Sequence, residues 1–304
     1  MTDAASLTHK MGELERPFDA YLIIETDLGF KQLSTIPDQT NVEDIYSDNY
    51  SGGPNPNWIQ KTIDEKPYWE LVFSDRYDVF ERFVSTPQKR ILDIGSFLGI
   101  FLEVGQKRGW EVLGIEPSKG ASAYSEKQGI PVKTGLFETF SDTELGCFDV
   151  INLSLTLEHL RDPIETLNRA YTCLKPGGLV CVEVPNDYSP LQAAVKSVLN
   201  TPDYWYAPPH HINYFNFDSL QATLTHCGFN VVHKLATFPM EFFLLMGDVY
   251  LGNESIGHQC HQKRMTFETN LSRAGMSEFK NRLYEFFAKE GVGREVILFG
   301  QKPR

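Results

Sequence analysis

The sequence predicts an α/β protein on a doubly wound, mostly parallel seven-stranded sheet, with an N-terminal extension and helical insertions. Three observations predict it. From about residue 90 to 200, short apolar runs alternate with amphipathic segments, the pattern of repeated βα units. The first run, Ile91, Leu92 and Ile94, breaks at Gly95 and Gly99 and resumes with helical spacing at Phe101-Leu102-Glu103-Val104. The second, Glu111-Val112-Leu113-Gly114-Ile115, ends on the acid Glu116, about 20 positions past the glycines, and Pro117 stops it.

Taken in order, Tyr21–Thr26 and Phe30–Leu33 form a hairpin around Asp27-Leu28-Gly29. Tyr46 and Tyr50 lie one helical turn apart, ahead of the breaker Gly52-Gly53-Pro54-Asn55-Pro56. Residues 1–66 therefore read as an extension or small module and 67–304 as the main domain. Apolar residues at Trp69, Val72, Phe73, Tyr77, Phe80 and Val84 recur at steps of three and four, so 68–84 is an amphipathic helix laid on the sheet. Strands follow near 90–95, 111–115, 131–135, 147–154 and 178–184, with helices near 99–108, 118–128, 162–174 and 187–199. Asn230–Thr237 and Glu295–Gly300 complete the sheet as an antiparallel edge pair. Two insertions interrupt this plan, at about 186–216 and 239–290. In the second, Phe242–Met246 and then Phe279, Leu283, Phe286 and Phe287 give helices whose apolar faces form a lid or a contact between subunits of a homo-oligomer.

Composition narrows the function. The formal charge is −12 with no lysine or arginine cluster, which argues against nucleic acid and favours a small-molecule partner. No apolar run approaches the ~20 residues of a membrane span, and the N-terminus lacks the apolar core of a signal peptide, so a cytoplasmic location is expected. The five cysteines are widely spaced with no C-x-x-C pair and none before Cys147; neither disulfides nor a metal site is expected.

Glycines at a strand-to-helix turn let the backbone approach a ligand closely, and an acid at the end of the next strand can accept bonds from two ribose hydroxyls. A dinucleotide turn needs a further glycine where Phe97 stands, so a nucleoside without a pyrophosphate fits better. Asp93-Ile94-Gly95-Ser96-Phe97-Leu98-Gly99, then Glu116, Phe148-Asp149-Val150-Ile151, Leu157-Glu158-His159-Leu160 and Leu174-Lys175-Pro176-Gly177-Gly178 occur in an order that resembles class I S-adenosylmethionine-dependent methyltransferases. The resemblance spans roughly 80–235 and, more weakly, flanks similar to enzymes that tailor sugars and other small metabolites; Phe97 is the main departure.

The resemblance implies S-adenosylmethionine as donor and S-adenosylhomocysteine as product. It places Asp93, Gly95, Ser96 and Gly99 in the donor turn, Glu116 on the ribose, Gly135, Leu136 and Phe137 against the adenine, and Ser154 at the methionine end. On the acceptor side, histidine titrates near neutral pH, which makes His210, His211 and His159 the candidate bases. His211 is preferred because His211-Ile212-Asn213-Tyr214-Phe215 resembles a base-bearing segment of sugar methyltransferases. Tyr204, Trp205 and Tyr214 would wall the acceptor, Tyr46 would join them, and Tyr50 would close over it. Adjacent histidines point apart and show no carboxylate partner in sequence, a further reason to expect no metal. A small-molecule acceptor, a sugar or sugar-nucleotide oxygen or carbon, is the resulting expectation, against a non-catalytic binding or assembly protein on the same fold.

Overall fold

The computed structural model describes residues 21–36 and 58–304; Tyr46 and Tyr50 lie outside these. Strands β1 (Ile23–Glu25) and β2 (Lys31–Leu33) form the expected hairpin, turned at Gly29 with φ +80°. Helix α1 (Trp58–Asp64) leads into α2 (Lys66–Phe83), which Pro67 starts by presetting φ where no intrahelical donor is needed. The α2 face that turns inward carries Tyr77, Val79 and Phe80, and Tyr77 stacks on Phe101 at 4.9 Å.

The βα units follow: β3 (Arg90–Ile94), α3 (Ile100–Lys107), β4 (Glu111–Glu116), α4 (Lys119–Lys127) and β5 (Val132–Thr134). After a short α5 (Asp142–Leu145) come β6 (Phe148–Ser154), α6 (Pro163–Cys173), β7 (Leu174–Pro185) and α7 (Pro190–Leu199). Next are β8 (Asn213–Tyr214), α8 (Phe217–His226), β9 (Asn230–Ala236), α9 (Glu241–Leu245), α10 (Glu254–Arg273), α11 (Ser277–Lys289) and β10 (Glu295–Gln301). Seven strands form one sheet in the order β5-β4-β3-β6-β7-β10-β9; the first five are parallel and β10 runs antiparallel between β7 and β9. Strands β3 and β6 and the second half of β7 are covered on both faces, which is why they read as mostly apolar runs; the polar exceptions Asp93, Asp149, Asn152 and Glu183 are themselves buried. The chain leaves β3 toward β4 on one side and returns at β6 on the other, so a crevice opens at the carboxyl ends of β3 and β6.

Two features were not foreseen. Strand β2 pairs antiparallel with β8, and Gln32 Nε2 donates to Asn213 Oδ1 at 2.8 Å, so the hairpin is stapled to the first insertion. The buried positions of α11 are Lys280, Tyr284, Phe287 and Ala288, whereas Phe279 and Phe286, expected inside, are exposed. Helix α7 opens with a capping box in which Ser189 Oγ accepts from Gln192 N–H. Ser189→Ala is expected to cost about 1 kcal/mol in urea unfolding, the usual loss of an N-cap oxygen.

Candidate active site

The turn after β3 is built from left-handed residues: φ is +80° at Gly95, +47° at Phe97 and +69° at Gly99. A Cβ on Gly95 would meet Thr156 Oγ1 at 2.5 Å, so the turn tolerates no side chain there. Phe97 takes a conformation that costs a non-glycine residue of order 1–2 kcal/mol. Its N–H then donates to Glu116 Oε2 at 2.7 Å, and Ser125 Oγ donates to its carbonyl at 3.2 Å. A larger residue at the departing position thus ties the turn to the end of β4.

Glu116 is 5% exposed and also accepts from Ser118 N–H through Oε1 at 2.8 Å. Burial outweighs these two amide bonds and pushes its carboxyl up to about 6. A carboxylate has about four lone-pair sites, so acceptor capacity remains for two hydroxyls. Behind the turn, Asp93 accepts from Asn152 Nδ2 at 2.7 Å, and burial raises it to about 7. Ser154 Oγ donates to Glu183, which pairs with Arg76 at 3.3 Å. The loop carrying Leu136 and Phe137 is held by Arg169: its Nη1 donates to the Phe137 carbonyl at 2.5 Å, its Nη2 donates to the Phe140 carbonyl, and its guanidinium lies 4.3 Å from the Phe137 ring. Arg169 was not singled out from sequence; an arginine on an amphipathic helix reads as solvated.

These residues surround a cavity of about 760 Å³. Asp93, Gly95, Ser96, Glu116, Leu136, Phe137 and Ser154 all line it; Gly99 does not, acting instead as the N-cap of α3. Among the expected acceptor residues that the structure describes, His159 alone is on the wall. His210 is exposed, and its carbonyl faces His159 Nδ1 at 2.7 Å. His211 sits behind the wall with its ring edge-on to His159 at 4.9 Å, and burial lowers it to about 3 and His159 to about 4. Trp205 packs among Tyr188, Tyr204 and Tyr206, and Tyr214 is 1% exposed in β8. Tyr206 and Tyr214 pack with Tyr188 in a core beside the hairpin, and Tyr204, Trp205 and Tyr214 do not line the cavity, a correction to their expected place around the acceptor.

The outer wall comes instead from α2, α10 and α11. Glu268 accepts from Tyr68 Oη and Tyr284 Oη, each at 2.5 Å, and Lys280 pairs with Asp75 at 2.5 Å. Asp75 is raised, because burial outweighs the lysine beside it. The second insertion therefore closes the cavity. The signal was present in sequence as Arg264/Glu268 and Lys280/Tyr284, polar pairs four apart, but nothing local distinguishes them from solvated faces. The first insertion brings His211 to Glu158 and His159, so the carboxylate partner that the sequence did not reveal is Glu158, already within the matched motif.

No helix of the described residues is long and apolar enough to cross a membrane. A family model described as a methyltransferase domain matches residues 68–234. A ubiquinone biosynthesis O-methyltransferase of Chromobacterium violaceum is 31% identical over 147 residues, 46% of this chain and 62% of that protein. One from Psychrobacter arcticus is 36% identical over 139 residues, 41% of this chain and 49% of that protein. The chain thus spans about half to three-fifths of the length of these relatives. Among solved structures, the plantazolicin methyltransferase BpumL, in complex with a monoazolic desmethylPZN analog and SAH, superposes with a TM-score of 0.52 at 17% identity, over 87% of this chain and 97% of that one. With the left-handed turn, Glu116 and the seven-strand order in agreement, the chain belongs to the class I S-adenosylmethionine-dependent methyltransferases.

Proposed function

We propose that the protein transfers the methyl group of S-adenosylmethionine to an oxygen of a small acceptor held between the β3 turn and the wall of α2, α10 and α11. The observation that carries this reading is a single cavity with Glu116 and the left-handed turn at one side and the polar wall of Tyr68, Glu268 and Lys280 at another. Its volume falls in the range of small-molecule sites. The bound donor supplies an electrophilic methyl on sulfur for in-line displacement. The chain's task is then to hold donor and acceptor about 3 Å apart and to help the acceptor lose its proton.

Glu116 would hold the ribose, Leu136 and Phe137 the adenine, and Ser154, oriented by Glu183, the methionine end. His159, which lines the cavity, would meet the acceptor. The choice of oxygen follows the O-methyltransferase relatives. A sugar acceptor finds no support among them, and the segment that suggested one, His211 to Phe215, lies behind the wall.

Calorimetry with S-adenosylhomocysteine tests the donor half: folded protein that binds none at millimolar ligand would refute it. For the acceptor half, incubation with donor and pooled metabolites should yield a product heavier by one methylene. His159→Ala should lower kcat and leave S-adenosylhomocysteine affinity unchanged.

A further inference from the structure

We propose that Glu158, His159 and His211 hold a divalent transition-metal ion at the edge of the acceptor cavity. The assignment rests on reading that cavity as the place where the acceptor is methylated.

Glu158 and His159 belong to the single turn Leu157–His159 that follows β6, while His211 comes from the first insertion, over 50 residues later. Backbone and side-chain bonds lock the two segments together. Ile212 N–H donates to the Glu158 carbonyl at 2.8 Å, and Asn213 Nδ2 donates to the carbonyls of Leu157 and Leu160 at 3.1 and 2.7 Å. One potential ligand atom from each of the three residues lies within 4.8 Å of the other two.

The polar atoms in this cluster are arranged for an ion. Glu158 is 1% exposed and its Oε2 has no hydrogen-bond partner, while Oε1 lies 3.7 Å from His159 Nε2. The charges acting on it most strongly, Asp187, Glu183 and Glu295, are all negative. A carboxylate buried in that company is costly unless a cation compensates it. Nδ1 of His211 is likewise buried without a partner. Nδ1 of His159 meets the His210 carbonyl at 2.7 Å, which sets Nδ1 as the protonated nitrogen and Nε2 as the one carrying the lone pair. A backbone carbonyl on the far ring nitrogen is the usual support of a metal-ligating histidine.

Two imidazoles and one carboxylate suit zinc, iron or another first-row ion, and suit magnesium or calcium poorly because these prefer oxygen. Since His159 is on the cavity wall, such an ion places positive charge beside the acceptor and favours the ionised form of its hydroxyl. The hydroxyl's proton then leaves to solvent, the oxygen bonds to the methyl carbon, and the carbon–sulfur electron pair stays on sulfur.

The test uses the full chain without an affinity tag, stripped with chelator and titrated with Zn²⁺ by calorimetry. Co²⁺ absorption spectra and S-adenosylhomocysteine binding are measured on the same samples. One Zn²⁺ per chain is expected, with cobalt spectra showing mixed nitrogen and oxygen ligation. Glu158→Gln and His211→Asn, both near in shape to the original, should each weaken Zn²⁺ by roughly 100-fold or more, with circular dichroism and S-adenosylhomocysteine affinity retained. Wild-type protein that takes up no Zn²⁺ at tenfold excess overturns the site. So does equally tight binding by both variants, since the ion would then sit elsewhere, for instance at His258 and His261 on α10. Loss of S-adenosylhomocysteine binding in the wild type would count against the methyltransferase reading instead.

Discussion

Glu116→Ala is expected to weaken S-adenosylhomocysteine binding by about 3–6 kcal/mol, roughly 150- to 25,000-fold, because it removes two hydrogen bonds to a charged acceptor worth ~1.5–3 kcal/mol each. The turn loses support as well, since the carboxylate also fastens Phe97 N–H and Ser118 N–H. Affinity in the wild type should depend on pH in a defined direction. The carboxyl sits at about 6, above its ordinary 4.5, because burial disfavours the charge. In the free protein this makes ionisation oppose folding, so the stability it contributes at low pH is lost as pH rises from 4.5 to about 6. Ribose hydroxyls stabilise the ionised form, so binding should be full above pH 7 and fall as pH drops through about 6. Calorimetry across pH 5 to 8 checks both points, and Glu116→Ala should flatten the profile. An unchanged affinity in Glu116→Ala would remove the carboxylate from the donor site.

Arg76→Met should destabilise the protein by about 3–5 kcal/mol, the usual result of stranding one member of a buried ion pair. Arg76 is 4% exposed on α2, where it faces Glu183 at 3.3 Å and donates to Cys181 Sγ at 3.5 Å. Glu183, 8% exposed, then keeps only the hydroxyl of Ser154. The double variant Arg76→Met/Glu183→Leu should recover much of the loss, because an apolar pair of similar volume avoids the desolvation cost. Urea unfolding of the two singles and the double measures the coupling. Additive losses would show that the pair does not act as a unit. Donor affinity should fall in both single variants, through the freed orientation of Ser154.

The residues around the β3 turn that line the cavity were legible because they are local. A strand that is buried on both sides is mostly apolar, as Ile91–Ile94 and Val150–Leu153 are apart from Asp93 and Asn152, which bond each other. A turn that meets Thr156 must be glycine, and an acid that follows Val112–Ile115 must emerge at the sheet's carboxyl edge. The outer wall of the cavity was not legible, since it depends on contacts between segments far apart in the chain. Periodicity assumes that apolar residues turn inward. On α11 that assumption failed, because Asp75 and Glu268 supply partners that make Lys280 and Tyr284 the buried residues. The aromatic run from Tyr204 to Phe215 has the composition of a ligand wall, yet pairing of β2 with β8 draws Tyr206 and Tyr214 into a small core with Ile23 and Leu33, while Phe215 joins the main core.

By itself, then, the amino-acid order determined the sheet, the turn at Gly95 to Gly99 and the carboxylate at Glu116, because each follows from backbone geometry and burial within a few dozen residues. Only the tertiary structure decided which histidine faces the cavity, what closes it, and that Glu158 meets His211. Those outcomes depend on how α10, α11 and the β8 segment dock, and docking is settled by partners that no local pattern records.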